Sequence, residues 1–261
     1  MKKIALILFI SFSSMAQYER HTIPYRNHIF KSTQFQKEMS FWISALLLTY
    51  TNDEKIYSEI QKLRKHKTLL DVSPHLEKFG RFELYYLSLI STGLGATFKQ
   101  QKIFDAGVIS LTSLIASGLV TTSIKHLFGR HRPRVGDGAY TYELGFKTTE
   151  NNFHSLNSGD ASNAFAVAAS LSAIYQDNKA VVYSSYFLAS LVAINRVFNK
   201  AHWPSDVLVG AFIGHYTGKK VSAMFLKKEK ENNRWFLTPL ISHQGSNESS
   251  SRYGLRATLS Y

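Results

Sequence analysis

An all-α fold, a helical bundle of about six core helices with a short C-terminal β-hairpin, is the class the sequence predicts, on three observations. First, six charge-free segments recur along the chain, at 39–52, 84–98, 106–124, 161–176, 180–195 and 207–218. They run from 12 to 19 residues, longer than ordinary strands and with few internal breakers, so helix is the better reading and strand the alternative. Second, the pattern changes beyond Gly218. Tyr253, Leu255, Ala257, Leu259 and Tyr261 alternate with Gly254, Arg256, Thr258 and Ser260, as a half-buried strand does, and 235–242 is the expected partner across the polar loop 243–252. Third, 261 residues with 44% hydrophobic content suit one large domain or two small ones and exclude a mostly disordered chain.

At the N-terminus, Lys2 and Lys3 precede an apolar run at 4–10, and Ser14 and Ala16 are small residues before a cut at Gln17. That is the layout of a secretory signal over 1–16, with an uncleaved anchor as the alternative. Either places the body outside the cytoplasm, in a periplasm or cell envelope. The expected helical domain is 17–230 and the tail 231–261. Residues 18–38 are polar and aromatic without a clean period, and 55–67 is a charged amphipathic stretch between the first two runs. Only the third run approaches the ~20 residues of a spanning helix, although tilted short spans are compatible with the others. Mean hydropathy is −0.14, so lipid and water are both open as surroundings. The short link 177–179 makes the fourth and fifth runs an antiparallel pair.

Lysine and arginine total 31 against 18 acidic residues, a formal charge of +13. A basic surface favours anionic headgroups by roughly 1 kcal/mol per nearby cation; the bland reading is a solvated face. No nucleic-acid motif is present, so a phosphorylated substrate or a membrane is the expected partner and nucleic acid is not. Cysteine is absent, which excludes disulfides, cysteine-ligated metals and a thiol nucleophile.

If consecutive helices alternate in direction, one pole collects the tails of the third and fifth runs and the heads of the fourth and sixth. Lys125, Arg130, Arg132 and Arg134 follow the third run, Ser158, Gly159 and Asp160 open the fourth, Arg196 ends the fifth, and His202 and Asp206 open the sixth. Singly these are commonplace: cations complement helix C-termini, Asn157, Ser158 and Asp160 suit N-caps, and Pro204 suits a first helical position. Together they suit phosphoryl transfer, in which cations and helix-start amides stabilise spread negative charge. A neutral imidazole can attack phosphorus, and a carboxylate on its other nitrogen fixes the tautomer. His202 and Asp206, four apart, are the candidate pair.

The segments KHLFGRHRP (125–133), SLNSGDAS (155–162) and NRVFNKAHWPSD (195–206) resemble the three motifs of the type 2 phosphatidic acid phosphatase and vanadium haloperoxidase superfamily. Lys125, Arg132 and Pro133 match the first; Arg196, His202 and Asp206 match the third with spacing intact. The resemblance implies that Lys125, Arg132, Ser158, the Gly159 amide and Arg196 hold a phosphate. It also implies that His202, oriented by Asp206, becomes phosphorylated, and that water then releases phosphate with no metal or other cofactor. Substrates in the family include lipid phosphates, isoprenoid diphosphates and phosphomonoesters, and haloperoxidases hold vanadate in the same pocket.

Three positions depart from the pattern. Asn195 replaces a serine, Asn157 a proline, and Asp160 the histidine that protonates the leaving oxygen. An aspartate beside three cations is expected to stay ionised, unable to donate a proton and repelling a dianion. Three outcomes are open: a leaving group that needs little protonation, such as a diphosphate; another acid, with His131 and His154 nearest in sequence; or a degenerate phosphate-binding protein.

Overall fold

The computed structural model describes residues 32–144, 150–226, 234–242 and 252–260. The expected signal segment 1–16 lies outside them. Eight α-helices are described: α1 Ser32–Thr51, α2 Asp53–Lys62, α3 Lys67–Phe79, α4 Phe82–Thr97, α5 Gln101–Leu127, α6 Gly159–Ile174, α7 Lys179–Phe198 and α8 Pro204–Leu226. Each of the six charge-free runs forms the body of one helix. The two additional helices, α2 and α3, come from the charged stretch and the residues between it and α4. Asp53 and Glu54 in the first turn of α2 and Lys62 in its last complement the helix dipole, so charge-rich sequence is helical here as well.

A short antiparallel pair, β1 Phe128–Arg130 with β2 Tyr142–Leu144, comes after α5 and sets Arg130 opposite Tyr142. The chain divides into a helical unit, 21–227, and a second unit that contains the C-terminal strands. Those strands are β3 Arg234–Ser242 and β4 Arg252–Ser260, antiparallel, with Trp235 opposite Leu259 and Ile241 opposite Tyr253. This is the hairpin the alternation predicts.

Small residues decide how the helices approach. A Cβ on Gly210 would stand 2.3 Å from the Ser158 carbonyl oxygen, one on Gly214 2.0 Å from that of Ser162, and one on Gly218 2.5 Å from that of Ala166. The three glycines, four apart, lie on one face of α8, and α6 packs there backbone to backbone. Gly95 and Gly107 do the same between α4 and α5. Serines inside the apolar runs are buried and paired: Ser117 with Ser162 at 2.5 Å and Ser170 with Ser113 at 2.9 Å, both joining α5 to α6. The core is otherwise alanine-rich, with Ile109, Leu114 and Ile174 filling the larger gaps.

This packing places the helix heads. The Ser158 amide donates to the Asp206 carbonyl at 3.0 Å, so α6 and α8 start side by side, at the pole where α5 and α7 end. Among the described residues, α5 and α7 are long and apolar enough to cross a membrane. Phe82, Tyr86 and Ile90 of α4 and Tyr183 and Phe187 of α7 are exposed.

Candidate active site

The pole assembles from four helix ends and the 128–158 connection. Lys125 lies in the last turn of α5. A Cβ on Gly159, the first residue of α6, would stand 3.9 Å from the Lys125 ammonium nitrogen. Ser158 caps α6, its hydroxyl accepting from the Ala161 amide at 3.4 Å, so the capping reading and a place at the pole hold together. Arg196 ends α7 and is buried, as are His202 and Asp206.

Arg132 is clamped by main-chain and side-chain oxygens. Its Nε donates to the Asn151 carbonyl at 2.7 Å, Nη1 to that of Ala201 at 3.1 Å, and Nη2 to Asn151 Oδ1 at 2.7 Å. The guanidinium is thereby fixed beside His202. Arg134 is at the surface, on Asn152.

His202 differs from expectation in one contact. Its Nδ1 lies 2.7 Å from the Ser155 carbonyl oxygen rather than on Asp206. A carbonyl only accepts, so Nδ1 carries the proton and Nε2 keeps its lone pair; among the described residues no hydrogen bond engages Nε2. Burial, then Arg132, Lys125 and Arg196, hold the imidazole pKa well below its ordinary value. Neutral imidazole with a free Nε2 is the nucleophilic form.

Asp206 reaches His202 through an intermediary. Its Oδ2 accepts from the Ser155 hydroxyl at 2.5 Å and the Trp203 amide at 3.0 Å, and its Oδ1 from Arg130 at 2.6 Å. Three donors leave both oxygens committed, because α8 begins at Pro204 and turns the carboxylate back on its own N-terminus. Burial raises the Asp206 carboxyl above the usual range, opposed by Arg130 and these hydrogen bonds.

Asp160 sits in the first turn of α6 with Oδ2 3.0 Å from Arg196 Nε and 3.6 Å from Arg81 Nε. Glu77 Oε1 lies 3.2 Å from Arg196 Nη1 and 2.5 Å from Arg81 Nη2. The two approaches to Arg196 are charge contacts off the N–H axes, and its Nε and Nη1 protons are not spent in hydrogen bonds. The residues at the departed positions are also engaged: Asn195 donates to the Ser73 carbonyl at 2.9 Å, and Asn157 to Thr121 Oγ1 at 3.3 Å. Of the alternative acids, His131 is tied to Asp137 at 2.7 Å, and the His154 ring lies 5.6 Å from that of His126.

Sequence reasoning missed Asp53, Glu77, Arg81 and Ser155. None falls at a position the three motifs mark. Asp53 lies just before the amphipathic stretch 55–67, and Glu77 and Arg81 lie between it and the second charge-free run, where charge reads as a solvated face.

Fold and pole together define a mostly helical protein in which a buried histidine stands under the influence of three cations. Residues 106–230, a little under half of the chain, match the model of the PAP2 superfamily. Among solved structures it is similar to LpxE of Aquifex aeolicus, at 22% identity and a TM-score of 0.51 over 65% of this chain and 93% of that one. It is also similar to a transmembrane PAP2-type phosphatidylglycerolphosphate phosphatase from Bacillus subtilis, at 18% identity and a TM-score of 0.39 over 88% and 99%. At 22% identity the likeness to LpxE is one of fold alone. No curated protein matches the chain.

Proposed function

We propose that the chain is an exported, membrane-associated phosphatase that hydrolyses a lipid phosphate, an isoprenoid diphosphate or a phosphomonoester through a phosphohistidine at His202. The observation that carries this reading is the His202 tautomer: Nδ1 is pinned by a carbonyl, no hydrogen bond engages Nε2 among the described residues, and Arg132, Lys125 and Arg196 act on the ring by charge. Nε2 attacks phosphorus, the bond to the leaving oxygen breaks with its electron pair on that oxygen, and water then displaces the imidazole to give inorganic phosphate. Lys125, Arg132, Arg196, Ser158 and the Gly159 amide hold the equatorial oxygens. Asp206 steadies the imidazolium through Ser155. The signal peptide 1–16, helical domain 17–230 and tail 231–261 complete the proposed organisation, with the body in the periplasm or cell envelope.

Asp160, ion-paired with Arg196, offers no proton, so the favoured substrate has a weakly basic leaving group; a diphosphate meets that need. A lipid is favoured over a soluble ester by a cavity of about 280 Å³ between α4, α5, α6 and α7, with Leu84, Leu87, Val167, Leu188 and Val192 in its walls. The test is phosphate release from a phosphomonoester, a lysophosphatidate and an isoprenoid diphosphate. Turnover lost in His202→Ala is expected; unchanged turnover there would sink the reading.

The Asp160–Arg196 contact favours a second reading, a degenerate phosphate-binding envelope protein. It predicts vanadate binding that depends on Arg132 and Arg196, no turnover by the native chain, and recovery in Asp160→His.

A further inference from the structure

Among the described residues, one buried and fully hydrogen-bonded charged group is not used by the proposed chemistry. Arg130 is wholly buried, and every nitrogen of its guanidinium is committed. Nε and Nη2 donate to the Ala139 carbonyl at 2.9 and 2.6 Å. Nη1 donates to Ser205 Oγ at 2.8 Å and Asp206 Oδ1 at 2.6 Å, and Nη2 to Asp53 Oδ2 at 2.7 Å. Asp53, also wholly buried, accepts from the Ser205 amide at 2.8 Å and from the Ser205 hydroxyl. The rings of Tyr50, Tyr142 and Trp203 lie 5.4, 5.6 and 5.8 Å from the guanidinium carbon. Arg130 also holds Ser155 directly, its carbonyl accepting the Ser155 amide at 2.9 Å.

We propose that Asp53 and Arg130 are positioning residues for His202, acting through Asp206 and Ser155 by way of the continuous hydrogen-bonded chain Asp53, Arg130, Asp206, Ser155, His202. The proposal rests on the phosphatase reading above. Two features distinguish it from a buried ion pair that serves stability alone, which apolar residues often replace without loss. The chain ends on the carbonyl that selects the His202 tautomer, and both Arg130 and Asp206 grip the residue carrying that carbonyl. The charges also matter. Arg130 alone would cancel Asp206; with Asp53 present, the three groups keep one net negative charge beside an imidazole that becomes cationic as it takes the phosphoryl group. Asp53 lies before 106–230, so this chain recruits it from α2, outside the matched family region.

The experiment compares Asp53→Asn, Ser155→Ala and the double variant with the native full-length chain, reading kcat, KM, vanadate affinity and the thermal midpoint. Each single variant is expected to lose about 10–100-fold in kcat, by analogy with the loss when the hydrogen-bond partners that orient metal-ligating histidines are removed, with KM and vanadate affinity unchanged. The double variant should lose no more than the worse single one, because the two residues act in one chain. Native kcat in folded Asp53→Asn, or losses that multiply in the double variant, would overturn the proposal. Should Asp53→Asn not fold, Ser155→Ala with Asp53→Glu decides: native kcat in Ser155→Ala overturns it, and a kcat-only loss there that Asp53→Glu shares supports it. No turnover by the native chain on any of the three substrates removes the phosphatase reading and this role with it. Native turnover alongside unimpaired variants removes this role alone.

Discussion

Asp160 Oδ2 stands 3.0 Å from Nε of Arg196, so the carboxylate in the first turn of α6 is in charge contact with a cation proposed to hold phosphate. Glu77 approaches the same guanidinium at 3.2 Å. Two internal carboxylates thus compete with a substrate anion for Arg196, while its Nε and Nη1 protons stay unspent.

Removing that competition should strengthen anion binding. In Asp160→Asn, vanadate is expected to bind roughly tenfold tighter, about 1.4 kcal/mol, because the substitution removes both a like charge beside the bound anion and a competing charge contact to Arg196. Isothermal titration measures this directly. Equal or weaker binding would mean that Asp160 organises Arg196 rather than blocks it.

The depressed His202 pKa has a pH consequence with a definite sign. The nucleophile is the neutral ring, and burial with Arg132, Lys125 and Arg196 keeps it neutral in the folded state well below the ordinary value. The acid limb of kcat/KM, which reports the free enzyme, should therefore fall at a pH well under about 6.5, the reference histidine value. The same shift bears on folding. Between the lower folded pKa and the unfolded one, only the unfolded chain holds the proton, so this residue's share of stability is lost as pH drops through that window. A kcat/KM profile with its acid midpoint at or above the reference value would contradict the placement of His202.

Much of the bundle is legible in the sequence because burial without charge marks each core helix, and 39–52 through 207–218 all proved helical. The pole is legible for the same reason: alternating helices put Lys125, Ser158, Arg196 and His202 at one end. What stayed hidden depends on distance in space. Asp53 reads as an ordinary first-turn acid, and nothing local says that its carboxylate meets Arg130, 77 positions on. The His202–Asp206 spacing suggests a direct bond, yet the turn into α8 sends the carboxylate to its own helix start and to Ser155. Side-chain partners at a helix N-terminus are set by the local chain path, which spacing alone does not specify.

The close approach of α6 and α8 is testable by adding one carbon. Gly214→Ala places a Cβ 2.0 Å from the Ser162 carbonyl oxygen and 2.9 Å from the Ala166 nitrogen, both backbone atoms, so the helices must separate. A loss of about 1–3 kcal/mol is expected from overpacking of this kind. Gly93→Ala, within α4 and with nothing within 4 Å of the added carbon, should instead gain up to about 1 kcal/mol from helix propensity. Chemical denaturation of the two variants side by side checks the contrast, and similar effects in both would contradict the packing.

Gly159 separates a role in anion binding from one in folding, because its added carbon would meet only ordinary contacts. The nearest atoms would be Thr121 Cγ2 at 3.5 Å and Lys125 Nζ at 3.9 Å. Gly159 is the first residue of α6, where alanine is well tolerated, so Gly159→Ala should leave the thermal midpoint unchanged or raise it. The methyl group would nevertheless stand beside the Lys125 ammonium, in the space a phosphate oxygen needs to reach both that cation and the helix-start amide. Vanadate affinity is expected to fall by about tenfold, the equivalent of one good hydrogen bond at about 1.4 kcal/mol, with kcat/KM falling in parallel. If stability and affinity both stay at native values, the phosphate does not lie against the head of α6, and Arg132 and Arg196 must hold it from the opposite side.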